Sequence, residues 1–357
     1  MSKSFYFSVG PSEVYPEVED YLKQAYQDGI LSISHRSKRF DAMSAETFAL
    51  LHNRLHIPDN YTILLTSSAT ECWEILAQSL TQEASTHFYS GSFGEKWFQY
   101  AQKLRPASLG IDIGIENTPL PSDYPLLIAP ELLCLTQNET SNGTQLSPEV
   151  LQTWRTAYPE SLIALDCTSS MAGIRFNWEV ADIWYASVQK CFGLPAGLGI
   201  LVLSPAAVER AKTIGENKHY NSLVTLLKHR EKFQNSFTPN VLGIYLLNKV
   251  MHHAEDIDAI DLRAELRAQT YYDWFEANSH LKPLIQNTEI RSTTVIAIKT
   301  TPKLLEQIYT DALKSDFQLG AGYGIWKPET FRIANFPAIT QEAYECMLHF
   351  LDSWVAE

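Results

Sequence analysis

Asp182-Ile183-Trp184-Tyr185-Ala186-Ser187-Val188-Gln189-Lys190-Cys191-Phe192-Gly193-Leu194-Pro195-Ala196-Gly197 is the stretch that decides the fold. Residues 183–186 are apolar without a polar alternation, the pattern of a strand covered on both faces. The run then breaks into Ser187, Gln189 and Lys190 and a turn carrying Gly193, Pro195 and Gly197. A lysine directly after a buried strand and before a Gly/Pro-rich turn is poorly explained by solvation alone. In open α/β sheets, ligands bind at the carboxyl ends of the strands, so polar residues placed there are the first to inspect.

Working outward, apolar β-branched or aromatic runs at 61–66, 86–89, 126–129, 132–136, 161–165 and 199–203 read as further strands. Helical periodicity fills the gaps at 70–80, 94–104 and 148–157. This alternation predicts an α/β fold, a mostly parallel sheet with helices on both faces. After about residue 254 the texture changes to a long charged helix at 258–278, a strand at 293–298, a helix at 302–314, a strand at 330–334 and a last helix from Gln341. That reads as a smaller α+β domain. The expected division is a large domain over 15–252 and a small one over 253–357 joined by 1–14, with the boundary inside 250–258.

The chain has 357 residues, 45% of them hydrophobic and 19% charged, a globular composition. Its 28 Lys and Arg against 41 Asp and Glu give a net charge of −13 with no basic stripe, which excludes a nucleic-acid binder. An anionic substrate must therefore be drawn by local cations. The five cysteines, Cys72, Cys134, Cys167, Cys191 and Cys346, form no CxxC and read as buried thiols in a reducing compartment. No apolar run is long enough to span a membrane, and the start has no apolar core of a signal peptide. The expectation is a cytoplasmic protein.

Four strand ends carry candidate chemistry. The first predicted strand runs into Ser67-Ser68-Ala69-Thr70 and a helix, where free N–H groups and hydroxyls can make an anion cradle; taken alone it reads better as an ordinary helix cap. Asp166 closes the strand at 161–165, and Lys190 follows twenty-four residues later, one strand–helix–strand step. Tyr89-Ser90-Gly91-Ser92-Phe93-Gly94 places an aromatic on a flexible turn. Pyridoxal phosphate needs this set together: a lysine to bond its aldehyde carbon, a carboxylate for its ring nitrogen, a phosphate cradle and an aromatic face.

Phe7-Ser8-Val9-Gly10-Pro11, Ser34-His35-Arg36-Ser37-Lys38-Arg39-Phe40, Asn138-Glu139-Thr140 and Gln189-Lys190 with Gly193 and Pro195-Ala196-Gly197 carry a resemblance. The chain resembles a class V, fold-type I pyridoxal-phosphate aminotransferase, most like the phosphoserine aminotransferases of serine biosynthesis. The resemblance runs end to end. It implies that Lys190 bonds the cofactor and then moves a proton, that Asp166 pairs with the pyridinium and that Phe93 stacks on the ring. It also implies that Thr140 meets the ring hydroxyl, while Ser68, Ala69, Thr70 and Gln189 hold the phosphate. Arg332 would clamp the substrate carboxylate. Thr238, His35 and Arg36 would be lent across a homodimer interface, the first to the phosphate and the others to substrate. Ser68-Ala69-Thr70 and Gly91-Ser92-Phe93-Gly94-Glu95 resemble instead the alanine– and serine–glyoxylate aminotransferases. Where phosphoserine enzymes carry a His-Arg pair, this sequence has Ile325-Trp326, then Lys327 as the remaining cation for a substrate phosphate.

The expected activity is thus transamination of small amino acids and 2-oxo acids, with phosphoserine and 2-oxoglutarate as the leading pair and a glyoxylate-type enzyme as the alternative. A lyase or cysteine desulfurase of the same fold would want a histidine before the lysine and a cysteine on a late loop; Gln189 and the helical Cys346 argue against it. A non-catalytic scaffold is disfavoured by Lys190, Asp166 and Arg332. No HExxH, GxSxG or metal-ligand spacing occurs, so no metal is expected. Gly320-Ala321-Gly322-Tyr323-Gly324 lies too late for a dinucleotide fingerprint and reads as a mobile active-site loop.

Overall fold

The computed structural model describes residues 4–354; the outermost residues of the expected small domain, 1–3 and 355–357, lie outside them. In chain order the strands are β1 (Phe5–Phe7), β2 (Thr62–Thr66), β3 (Thr86–Tyr89), β4 (Leu109–Asp112), β5 (Leu132–Thr136), β6 (Asn138–Glu139) and β7 (Thr144–Gln145). They continue as β8 (Leu162–Asp166), β9 (Ile183–Ser187), β10 (Gly199–Leu203), β11 (Lys282–Pro283), β12 (Val295–Lys299), β13 (Phe317–Ala321) and β14 (Thr330–Ala334). A seven-stranded sheet has the order β2-β10-β9-β8-β5-β3-β4. All but β10 point the same way, because β10 pairs antiparallel with both its neighbours and the remaining pairs are parallel. Every residue of β5, β8, β9 and β10 is buried, as their unbroken apolar sequences require.

Helices cover both faces of this sheet. The helix Ala69–Leu80 buries Cys72, Trp73, Ile75 and Leu76 against one face. The opposite face is filled by Phe88, Trp154 and Trp184. A second, five-stranded sheet has the order β1-β13-β14-β12-β11 and is antiparallel except for the β1–β13 pair. One hydrophobic cluster runs from Leu133 and Leu165 in the first sheet to Val295, Phe331 and Ile333 in the second, so the two share a core.

Two sequence expectations fail. Residues 126–129 are not a strand: Leu127 and Ile128 stand exposed, and Pro125 and Pro130 flank the segment without a backbone donor. The edge of the sheet is instead Leu109–Asp112, masked in the sequence by its glycine. The Phe98 ring lies so close to Gly110 that a Cβ there would meet it at 2.5 Å, which explains the glycine. The second failure is Cys346, which is exposed while the other four thiols are buried. On the last helix, Tyr344, Met347 and Leu351 face the core and Cys346 falls on the opposite side.

At the end of the sheet away from the strand carboxyl termini, Asp182 ties three strands together. Its carboxylate pairs with Arg155, accepts from Ile163 N at 3.0 Å and accepts from Ser204 Oγ at 2.9 Å. Removing it strands three buried donors. The variant Asp182→Ala is expected to lose about 3 kcal/mol of stability, read as a drop of several degrees in melting temperature.

Candidate active site

Six parallel strands deliver their carboxyl ends to one side of the large sheet, and a cavity of about 270 Å³ opens there, closed from above by Arg332 of β14. Asp166 is the last residue of β8, and Lys190 lies three residues beyond the end of β9. Both are buried. The Lys190 Nζ donates to Thr140 Oγ1 at 2.6 Å, and Thr140 Oγ1 donates to Ser169 Oγ at 2.9 Å. The Thr140 carbonyl oxygen accepts from Arg332 Nη1 at 2.6 Å. One threonine thus fixes the lysine through its hydroxyl and the arginine through its backbone.

The aromatic wall is set by a buried carboxyl. Glu139 Oε2 accepts from Phe93 N at 3.1 Å and Gly94 N at 3.0 Å, and its Oε1 accepts from Ser141 N at 2.9 Å. These bonds satisfy the free N–H groups at the start of the helix Ser92–Leu104 and hold Phe93 over the cavity. Gly91 caps that helix, and a Cβ there would meet Glu139 Cγ at 2.5 Å. On the other side, Gly10 presses against the Lys190 stem: a Cβ would meet Lys190 Cε at 2.9 Å, and its φ of +147° disfavours a side chain in any case.

Burial controls the charges. Desolvation pushes the Lys190 amine down to about 8, opposed by Asp166 and aided by the nearby Arg332 cation. The Asp166 carboxyl is pushed up by burial, against its bonds to Thr168 and the Lys190 ammonium. Desolvation lowers Arg332 to about 10 and raises Glu139.

Eight of the sequence-predicted residues line this one cavity: Ala69, Thr70, Phe93, Thr140, Asp166, Gln189, Lys190 and Arg332. Ser68 sits beside it as the helix cap, its hydroxyl accepting from Glu71 N, while Ser67 gives both its N–H and its hydroxyl to the Glu71 carboxylate. Of the hydroxyls expected in the anion cradle, Thr70 alone lines the cavity. His35, Arg36, Thr238 and Lys327 lie outside it; Arg36 donates to Gln234 at 2.7 Å, and Thr238 and Lys327 are exposed. Sequence reasoning gave no role to Trp73, Thr136, Asn138, Thr168 and Ser187, which also line the cavity, as does Tyr323 from the segment expected to form an active-site loop. Thr136, Thr168 and Ser187 stand at strand ends, and Trp73 follows Thr70 by one helical turn, so strand-end and i,i+3 spacing would have found them.

Residues 7–310 match the family Aminotransferase class-V. The chain belongs to the class-V aminotransferases. It is 28% identical over 364 residues to the phosphoserine aminotransferase of Corynebacterium glutamicum, covering 97% of this chain and 93% of that one. The phosphoserine aminotransferase of Rhodococcus opacus is also 28% identical, with 98% and 94% covered. A crystal structure of a phosphoserine aminotransferase from Cytophaga hutchinsonii superposes with a TM-score of 0.95 at 32% identity, covering all of both chains.

This class-V aminotransferase uses pyridoxal phosphate, and its cavity fits that cofactor. Asp166, Thr136 and Thr168 line it, Asp166 has no ion-pair partner among the described residues, and the Thr136 hydroxyl is buried without a hydrogen-bond partner. A cationic ring nitrogen would answer the carboxylate, and the helix N-terminus at Ala69–Thr70 would hold an anion.

An amine held near 8 is protonated and non-nucleophilic below that pH. Covalent capture of pyridoxal phosphate by the cofactor-free enzyme is therefore expected to rise about tenfold per pH unit up to roughly 8 and to flatten above it. Borohydride trapping and mass measurement read it, and Lys190→Ala is expected to trap nothing. Glu139→Gln is expected to cost about 1–3 kcal/mol of stability by leaving an N–H of the Phe93 turn unpaired, measured by thermal denaturation.

Proposed function

We propose that this aminotransferase moves the amino group of phosphoserine to 2-oxoglutarate by a ping-pong cycle, a step of serine biosynthesis. The observation that carries the reading is the buried Arg332 guanidinium over the same cavity as Lys190 and Asp166, in a chain alike end to end to proteins named phosphoserine aminotransferase. A planar fork suits an α-carboxylate, and the remaining N–H groups of Arg332 are oriented by its bonds to the Ala321 and Thr140 carbonyls. We assign the enzyme to the cytoplasm, supported by four buried thiols and no disulfide among the described residues. No described helix is long and apolar enough to cross a membrane. We also infer a homodimer in which the exposed Thr238 and Arg36 and the half-buried His35 serve the neighbouring site.

Pyridoxal phosphate, when bound, supplies the aldehyde that takes up the amino group and the ring that stores the electron pair released at the substrate Cα. Arg332 fixes the substrate carboxylate and thereby the orientation of its Cα–H bond. Lys190 would take the proton from the substrate Cα as base and give it back as acid; its lowered proton affinity suits both transfers near neutral pH. Thr140 Oγ1 accepts from the lysine and keeps it aimed into the cavity. Asp166, as a carboxylate, keeps a proton on the ring nitrogen. Phe93 and Tyr323, stacked at 5.0 Å, exclude water from the upper face.

The sequence Ser68-Ala69-Thr70 and the uncharged Ile325-Trp326 favour a glyoxylate-type specificity as the second reading. Single half-reactions separate the two. Spectral conversion of the bound cofactor by phosphoserine and glutamate, but not by alanine or serine, is the expected result; conversion by alanine or serine alone overturns the proposal. Arg332→Ala is expected to raise KM about 30-fold or more for every donor used, the equivalent of about 2 kcal/mol.

A further inference from the structure

Lys96 follows Phe93 by one turn on the helix Ser92–Leu104 and had no place in the sequence reading. Its Nζ donates to the Tyr323 hydroxyl at 2.6 Å and lies 4.9 Å from the Tyr323 ring centre and 5.7 Å from that of Phe93. Lys190 Nζ lies 5.4 Å from the same Phe93 ring centre, and Arg332 Cζ lies 5.7 Å from the Tyr323 ring centre. The two stacked rings therefore have three cations around them: the reacting lysine, the carboxylate clamp and Lys96. Lys96 is half-buried, and among the described residues no carboxylate lies within 4 Å of it. A partly desolvated ammonium without a counter-ion, beside a substrate cavity, favours an incoming anion.

We propose that Lys96 receives the second, distal anion of the substrate: the phosphate of phosphoserine and the γ-carboxylate of glutamate and 2-oxoglutarate. A substrate held by its α-carboxylate at Arg332, with its amino group toward Lys190, projects its side chain from between those two cations. Lys96 shares one ring with each of them. A second cavity, lined by Ile325 and Trp326, also carries Glu95 and Asp112, which repel a dianion. Neither Lys327 nor Lys96 lines the catalytic cavity itself, but Lys327 is exposed, whereas Lys96 is half-buried and bonded to Tyr323, which does line it. Lys96 thus supplies the charge absent from Ile325-Trp326, and the distal anion takes the place of the Tyr323 hydroxyl as its hydrogen-bond acceptor.

The inference rests on the phosphoserine reading for one of its two anions, and binding of unreactive analogues to the holoenzyme separates them. Glutarate and 4-phosphonobutyrate carry both anions, and valerate carries the carboxylate alone. In Lys96→Met, dissociation constants measured by calorimetry for the two dianions are expected to rise about tenfold or more, and that for valerate about threefold at most. Lys96→Arg is expected to restore dianion binding, and Tyr323→Phe, which keeps the charge, to leave the dianion preference standing. An equal loss for valerate, or no loss for either dianion, overturns the proposal. If wild-type enzyme binds glutarate in a Lys96-dependent way but not 4-phosphonobutyrate, the phosphoserine reading fails while the role of Lys96 toward a γ-carboxylate stands. If phosphoserine is converted and Lys96→Met changes nothing, the reverse holds.

Discussion

The site depends on three buried residues, Asn138-Glu139-Thr140, held where β5 gives way to a small hairpin. Asn138 Nδ2 donates to Thr294 Oγ1 at 2.6 Å and to the Ser169 carbonyl at 3.0 Å, tying the two sheets together. Glu139 caps the helix that carries Phe93, and Thr140 receives both Lys190 and Arg332. Groups from five separate parts of the chain thus take their positions from one tripeptide. Because these contacts are buried, each unmade bond would carry a desolvation cost, so the arrangement has little freedom to loosen piecemeal.

The same burial makes the site reactive. An ammonium and a carboxylate that were both well solvated would hold ordinary proton affinities and do little at neutral pH. Here desolvation lowers Lys190 and raises Asp166, and each group partly opposes the shift of the other. In the roles proposed for them, this leaves Asp166 matched to a cationic ring and Lys190 to a transferable proton, so cofactor affinity and chemistry would share one origin. Arg332 follows the same rule, lowered by burial yet still a cation.

Much of this was legible in one dimension because strand ends in an α/β sheet are short stretches of chain. Asp166 closes an apolar run and Lys190 lies three residues beyond the end of another, so reading the strands located them. The strand expected at 126–129 failed for the complementary reason: an apolar run between two prolines has no ladder to join, and hydrophobicity alone does not reveal that. Leu109–Asp112 was hidden because its glycine, a poor strand former, is there to admit the Phe98 ring. Trp73 and Lys96 were missed because on helices the informative neighbours lie three residues away rather than adjacent.

The order of apolar runs and turns determined the α/β class, and the residues after those runs determined the cofactor chemistry, since both are local properties of the chain. Tertiary structure alone decided that Thr140 joins Lys190 to Arg332 across 142 residues of chain, and that Glu139 governs Phe93. It also decided that Lys96 stands without a carboxylate partner among the described residues and bonds Tyr323, a residue of the cavity wall. Hydrogen bonding and desolvation depend on distance in space, and separation along the chain carries no measure of that distance until the two sheets have closed on their common core.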